Sequence, residues 1–117
     1  MNFEDFREYC LRKPFVSEGF PFDQSTLVFK VGGKMFALTD IDNFDSVNLK
    51  SDPEKAIDLR ETFSGIIAGY HMNKKHWNTV MINMDVPDPL FKQMIDDSYE
   101  LVYRSLPKKM KDGLALG

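Results

Sequence analysis

Apolar residues recur along this chain with two different periods, and each change of period marks a new element. Phe3, Phe6, Tyr9 and Cys10 fall three or four apart, the spacing that lines one face of a helix. Asn2 can cap that helix, Glu4 and Asp5 sit in its first turn, and Arg12 and Lys13 suit its C-terminal end before Pro14. A helix is therefore expected from Phe3 to about Arg12. The stretch 16–23, with Gly19 and Pro21 beside Phe20 and Phe22, reads as a loop.

Alternation takes over in LVFKVGGKMFALTD, Leu27 to Asp40. Two strand-like runs flank Gly32-Gly33, which can adopt the positive φ of a tight hairpin turn. A two-residue turn sets Val31 against Lys34, Phe29 against Phe36 and Leu27 against Leu38, all facing the core. Val28, Lys30, Met35 and Ala37 then share the opposite face. A third strand, about Ser46 to Lys50, puts Val47 and Leu49 inward.

Asp52 and Pro53 give a cap-then-proline start to a helix that buries Ala56, Leu59 and Phe63 and leaves at Gly65. Two extended segments follow, about 69–72 and 77–83, joined by Asn73-Lys74-Lys75-His76. Asp88 and Pro89 repeat the helix-start signal, and this last helix runs to about Leu106, before Pro107. The predicted order is α-β-β-β-α-β-β-α. It describes an α+β two-layer sandwich: an antiparallel five-stranded sheet with helices on one face and the other face open. Residues 1–107 form the single expected domain, and 108–117 are expected to be a loose tail.

At 117 residues the chain suits one core. Its net charge of −3 argues against a strongly basic, nonspecific nucleic-acid binder but leaves room for a local basic patch. No apolar run is long enough to cross a bilayer, and Glu4, Asp5, Arg7 and Glu8 interrupt any leader-like opening. With Cys10 alone, no internal disulfide can form. A cytoplasmic setting and no membrane partner are expected.

The open face then decides the chemistry. Phasing the last strand with Val80 and Ile82 inward turns Trp77, Thr79 and Met81 outward, beside Lys30, Met35, Lys50 and His71. Lysines mixed with aromatic residues on a sheet can neutralise phosphates and stack bases. The same mix suits a protein or peptide contact. Catalysis finds less support. Ser64 and Ser98 lie near no nucleophile elbow, and Gly32-Gly33 lacks the helix of a phosphate loop. His71, His76 and Asp85 lack the paired-ligand spacing of a zinc site. No enzymatic activity, metal or cofactor is expected.

Four segments resemble the MmcQ/YjbR family of small bacterial proteins. They are VFKVGGKMFAL at Val28–Leu38, LKSDPE at Leu49–Glu54, GYHMNKKHWNTV at Gly69–Val80 and SYELV at Ser98–Val102. The resemblance implies the same element order, in a fold similar to secretion chaperones and frataxin-like proteins. It also implies DNA binding through a surface called a double wing, a label that rests largely on fold comparison. Carried onto this chain, the family positions are Lys30, Lys34, Lys50, His71, Asn73, Lys74, Lys75, His76 and Trp77 as the binding set, with Ser98 and Tyr99 on the last helix. The expected function is a small binding module that contacts DNA, with a protein or peptide adaptor as the alternative. The sequence leaves the oligomeric state open.

Overall fold

The computed structural model describes residues 1–69 and 72–116, the last two of these by backbone alone. Among the described residues the chain forms helix α1 (Phe3–Leu11), strands β1 (Val16–Gly19), β2 (Thr26–Val31), β3 (Lys34–Asp40) and β4 (Ser46–Lys50), helix α2 (Pro53–Thr62), strands β5 (Ile66–Ala68) and β6 (Trp77–Met81), and helices α3 (Asp88–Ser105) and α4 (Lys108–Leu116). The sheet is antiparallel with strand order β1-β2-β3-β4-β6-β5. Helices cover one face of it, as expected.

The expected caps of α1 and α2 form. Asn2 accepts from the Asp5 N–H and Asp52 from the Lys55 N–H. Asp88 is different: it lies inside α3, and Pro87 takes the cap position without a side-chain bond.

Two elements correct the sequence reading, and both are held by packing rather than local preference. The segment read as a loop after Pro14 contains β1, which pairs with β2 from Val16 opposite Val31 to Gly19 opposite Val28. The sheet therefore has six strands and not five. The tail expected to be loose is helix α4, with Leu114 packed on the core and Met110 lying against Gly32. The extended segment expected over 69–72 also shifts: β5 is Ile66–Ala68, and residues 70 and 71 lie outside the described residues.

A further correction matters most for function. The hairpin turn forms as expected, with Gly32 at φ +58° and Gly33 at +81°, and Val31 pairs with Lys34 and Lys30 with Met35. Beyond that the register slips, and Phe29 pairs with Ala37 and Leu27 with Thr39. Phe36 is the extra residue of a β-bulge. One inserted residue exchanges the faces of everything after it. Ala37 thus faces the helices, where Leu38 was expected, and Leu38 faces away beside Val28.

The core lies between the sheet and the helices. Phe6, Phe29, Phe36 and Ile95 are completely buried in it, with Phe6 edge-on to Phe29 at 5.5 Å and Phe36 edge-on to Tyr99 at 5.5 Å. Polar links tie α1 to α3. Tyr9 donates to Asp96 at 2.8 Å, Lys13 pairs with the same carboxylate, and Tyr99 donates to the Pro14 carbonyl at 2.7 Å. Burial, then the Asp96 bond, push the Tyr9 phenol up to about 12. No helix is long and apolar enough to cross a membrane among the described residues.

Candidate functional site

The pairings arrange the helix-free face of the sheet in rows across the strands. At the end of the hairpin turn Ser17, Lys30 and Met35 form one row, and Lys50 pairs with Trp77 at the same end of the sheet. The next runs Gly19, Val28, Leu38, Asn48, Thr79, Ile67. Lys30 and Lys50 lie two strands apart in the sheet order, so their strands are about 10 Å apart at the usual spacing.

Trp77 occupies the helix-free face, as its phase predicts, but the residue is only 7% exposed. The bulge explains this. Leu38, swung outward, joins Val28 and Trp77 in a second buried cluster, against which Met35 and Met72 pack. This small core caps the face that was expected to be open. The indole therefore anchors the sheet and presents little surface on which a base could stack. Thr79 hydrogen-bonds to Asn48 in the adjoining row.

The lysines are better placed. Lys34, Lys74 and Lys75 are exposed, and Lys30 and Lys50 are half-buried, consistent with stems lying along apolar neighbours while the amines reach water. Among the described residues none of these five makes an ion pair. Strand direction brings them together: β2 and β4 end here, β3 and β6 begin here, and the 72–76 segment leads into Trp77. Asp40, Asp42 and Asp45, which the sequence places near Lys30 and Lys50, sit at the far end of the strands with Asp23 and Asp85. The seven residues of β3 span roughly 20 Å at about 3.3 Å each, more than twice the screening length of about 8 Å at physiological salt. The two charge groups do not cancel.

Asn73 is a turn former whose Oδ1 accepts from the Lys75 N–H at 2.9 Å. His76 is half-buried, and its carbonyl accepts from the Ser51 N–H at 2.8 Å. His71 lies outside the described residues. Ser98 and Tyr99 are buried parts of the scaffold. Ser98 Oγ donates to the Phe36 carbonyl, at the bulge, and accepts from the Lys50 N–H at 2.9 Å. The bulge opens a gap between β3 and β4 at this level, and a helix hydroxyl fills it.

Three contributors escape the sequence reading. Arg60 Nη1 donates to Asn78 Oδ1 and to the Lys74 carbonyl, both at 3.0 Å. Asn78, fully buried, donates in turn to the Ala56 carbonyl at 3.2 Å. This chain fixes the lysine-bearing segment to α2. The third contributor is α4: its seat against Gly32 brings exposed Lys108 and Lys109 to the turn that carries Lys34. A loose tail hides that addition from the sequence. Among the described residues no group of three His, Cys, Asp or Glu side chains could hold a metal. Cys10 is buried, which pushes its thiol up and leaves it unreactive.

Comparison with known proteins agrees with this architecture. The family model described as YjbR matches residues 11–101. The chain is 38% identical over 107 residues to the uncharacterized protein YbdF of Escherichia coli O157:H7, covering 91% of this chain and 88% of that one. It is 30% identical over 112 residues to the uncharacterized protein YjbR of Escherichia coli K12, covering 95% of each. A crystal structure of a Deinococcus radiodurans protein with a DUF419 domain superposes with a TM-score of 0.90 at 41% identity, over 97% of this chain and 88% of that one. A Pseudomonas syringae crystal structure gives 0.73 at 29% identity, over 87% and 99%.

Proposed function

The chain belongs to the YjbR family, and from that premise we propose that it is a small non-enzymatic module that contacts nucleic-acid phosphates through the lysine end of its sheet. One observation carries the reading. Lys30, Lys34, Lys50, Lys74 and Lys75 converge at one end of the fold, and none is neutralised by an ion pair among the described residues. The DNA-binding label attached to the family resemblance points the same way, as an analogy of fold. Phosphate contacts position a protein without reading sequence, and the buried indole withholds the stacking that single strands favour. The reading is therefore duplex contact without base preference. Docking of a protein or peptide on this same face has less support, because Trp77, Val28 and Leu38 are already covered there.

A salt series with a labelled DNA duplex tests the proposal. Three or four phosphate contacts give a log–log slope of about −3, at roughly −0.9 per contact. Lys30→Ala and Lys50→Ala each weaken binding equally on unrelated duplexes and lower the slope by about 1. Absence of binding at low salt, or a slope that ignores both substitutions, overturns it.

A further inference from the structure

The opposite end of the molecule carries a second surface with other chemistry. An open groove of about 660 Å³ lies between α1 and β1, within the roughly 300–1,000 Å³ range of ligand-holding sites. Phe3, Phe20, Leu27 and Ile41 give it an apolar lining, and Phe20 is 47% and Ile41 37% exposed. Large apolar side chains left open side by side mark contact surfaces.

The rim is acidic. Glu4, Glu8 and Glu18 line it, against Arg7 alone. Arg7 is taken by Glu18, with Nε 2.9 Å from Oε2, and Glu8 pairs with exposed Arg12 at 3.6 Å. Glu4 has no ion-pair partner among the described residues. Asp40 and Asp42, both exposed, flank Ile41 and add to the negative field.

The third observation is the sheet edge. β1 is the first strand in the sheet order and pairs only with β2 among the described residues. An unpaired edge accepts an extended segment as one more strand, and pockets beside it select alternate side chains.

We infer that the α1–β1 groove docks an extended segment of a partner protein that carries large apolar side chains and lysine or arginine on one face, at every second residue. Apolar and basic side chains on that one face enter together, the apolar ones between Phe20 and Ile41 and the basic ones against Glu4 and Glu8, while the backbone runs along β1. This site lies at the acidic end, away from the lysine end, and stands or falls independently of nucleic-acid contact.

A fluorescein-labelled peptide, Phe-Ser-Lys-Ser-Leu-Ser-Lys, titrated by fluorescence polarisation tests the inference on the full chain. It saturates, and its glutamate-for-lysine counterpart does not. The double variant Phe20→Ser with Ile41→Ser weakens it at least about tenfold, the loss typical of an apolar anchor. Glu4→Gln with Glu8→Gln weakens it roughly threefold and removes most of its salt dependence, as rim charges do. Lys30→Ala with Lys50→Ala leaves it unchanged. All four groove positions face solvent or the groove, and thermal melts verify that the variants fold. Failure to saturate below about 1 mM overturns the inference, as does binding indifferent to Phe20→Ser with Ile41→Ser. So does a concentration-dependent doubling of mass that those two substitutions abolish, which would assign the groove to a second copy of the chain.

Discussion

The Lys50 backbone N–H donates to the Ser98 hydroxyl at 2.9 Å, so a helix side chain stands where a neighbouring strand would otherwise supply the acceptor. The same hydroxyl donates to the carbonyl of Phe36, the bulged residue. A single oxygen thus satisfies two backbone groups that the bulge separates. Ser98→Ala leaves both buried and unpaired, at roughly 1–3 kcal/mol for each orphaned group. Urea denaturation of this variant is expected to show a loss of about 2–6 kcal/mol. A loss below about 0.5 kcal/mol, typical of a neutral surface change, rules out the bridging role.

Trp77 is the chain's single tryptophan, so its fluorescence reports one site. With the residue 7% exposed and packed with Val28, Leu38 and Met72, emission is blue-shifted from that of the free amino acid and acrylamide quenches it weakly. Adding duplex DNA leaves that emission nearly constant. Trp77→Ala costs about 3 kcal/mol, the lower end for a large aromatic because this cluster is small. Strong quenching in the free protein would show that the second cluster does not hold.

Two glycines separate steric need from mere occurrence. A Cβ on Gly69 would lie 2.8 Å from Trp77 Cβ and 2.9 Å from its carbonyl oxygen, and backbone there cannot yield cheaply. A Cβ on Gly19 would meet nothing within 4 Å. Gly69→Ala is expected to destabilise by about 2 kcal/mol or more, the cost of overpacking. Gly19→Ala shifts stability by roughly 0.5 kcal/mol or less, with the loss of unfolded-chain entropy in its favour. Equal melting temperatures for the two variants contradict the close approach at Trp77.

Acid stability has a defined origin. Asp85 accepts from the Gly65 and Ser64 N–H groups, both at 2.7 Å, which holds its carboxyl below its ordinary value of 3.8. Asp23 is held down in the same way by the Thr26 and Ser25 N–H groups. A depressed folded-state value means the stabilisation is complete above the ordinary carboxylate value and lost as pH falls through the lower one. Melting temperature is therefore flat near neutrality and declines below about pH 4. Asp85→Asn lowers the neutral plateau and shallows the acid decline. An unchanged acid limb in that variant would show that Asp85 contributes nothing to it.

Much of this fold is legible in the sequence, and the misreadings share a cause. Gly32-Gly33 announces the hairpin and Asp52-Pro53 the second helix because each signal is local. The bulge at Phe36 has no such signal, since LVFKVGGKMFAL alternates equally well with or without an extra residue. Its support, Ser98, lies 62 positions away. That one slip explains why Trp77 is placed on the correct face with the wrong exposure. β1 is missed because Val16-Ser17-Glu18-Gly19 carries too little apolar content to read as a strand without β2 beside it. α4 is missed because Gly113 and three lysines weaken the pattern that Met110 and Leu114 complete only by packing. The lysine set is legible as residues, while its convergence needs the register.

With five lysines at one end of the strands and Asp23, Asp40, Asp42, Asp45 and Asp85 at the other, the sheet carries a charge asymmetry that the net charge of −3 conceals. A body with such an asymmetry experiences torque before it experiences contact. Near a polyanion it turns its lysine end forward, and near a cationic segment it presents the groove, so each encounter begins already aligned.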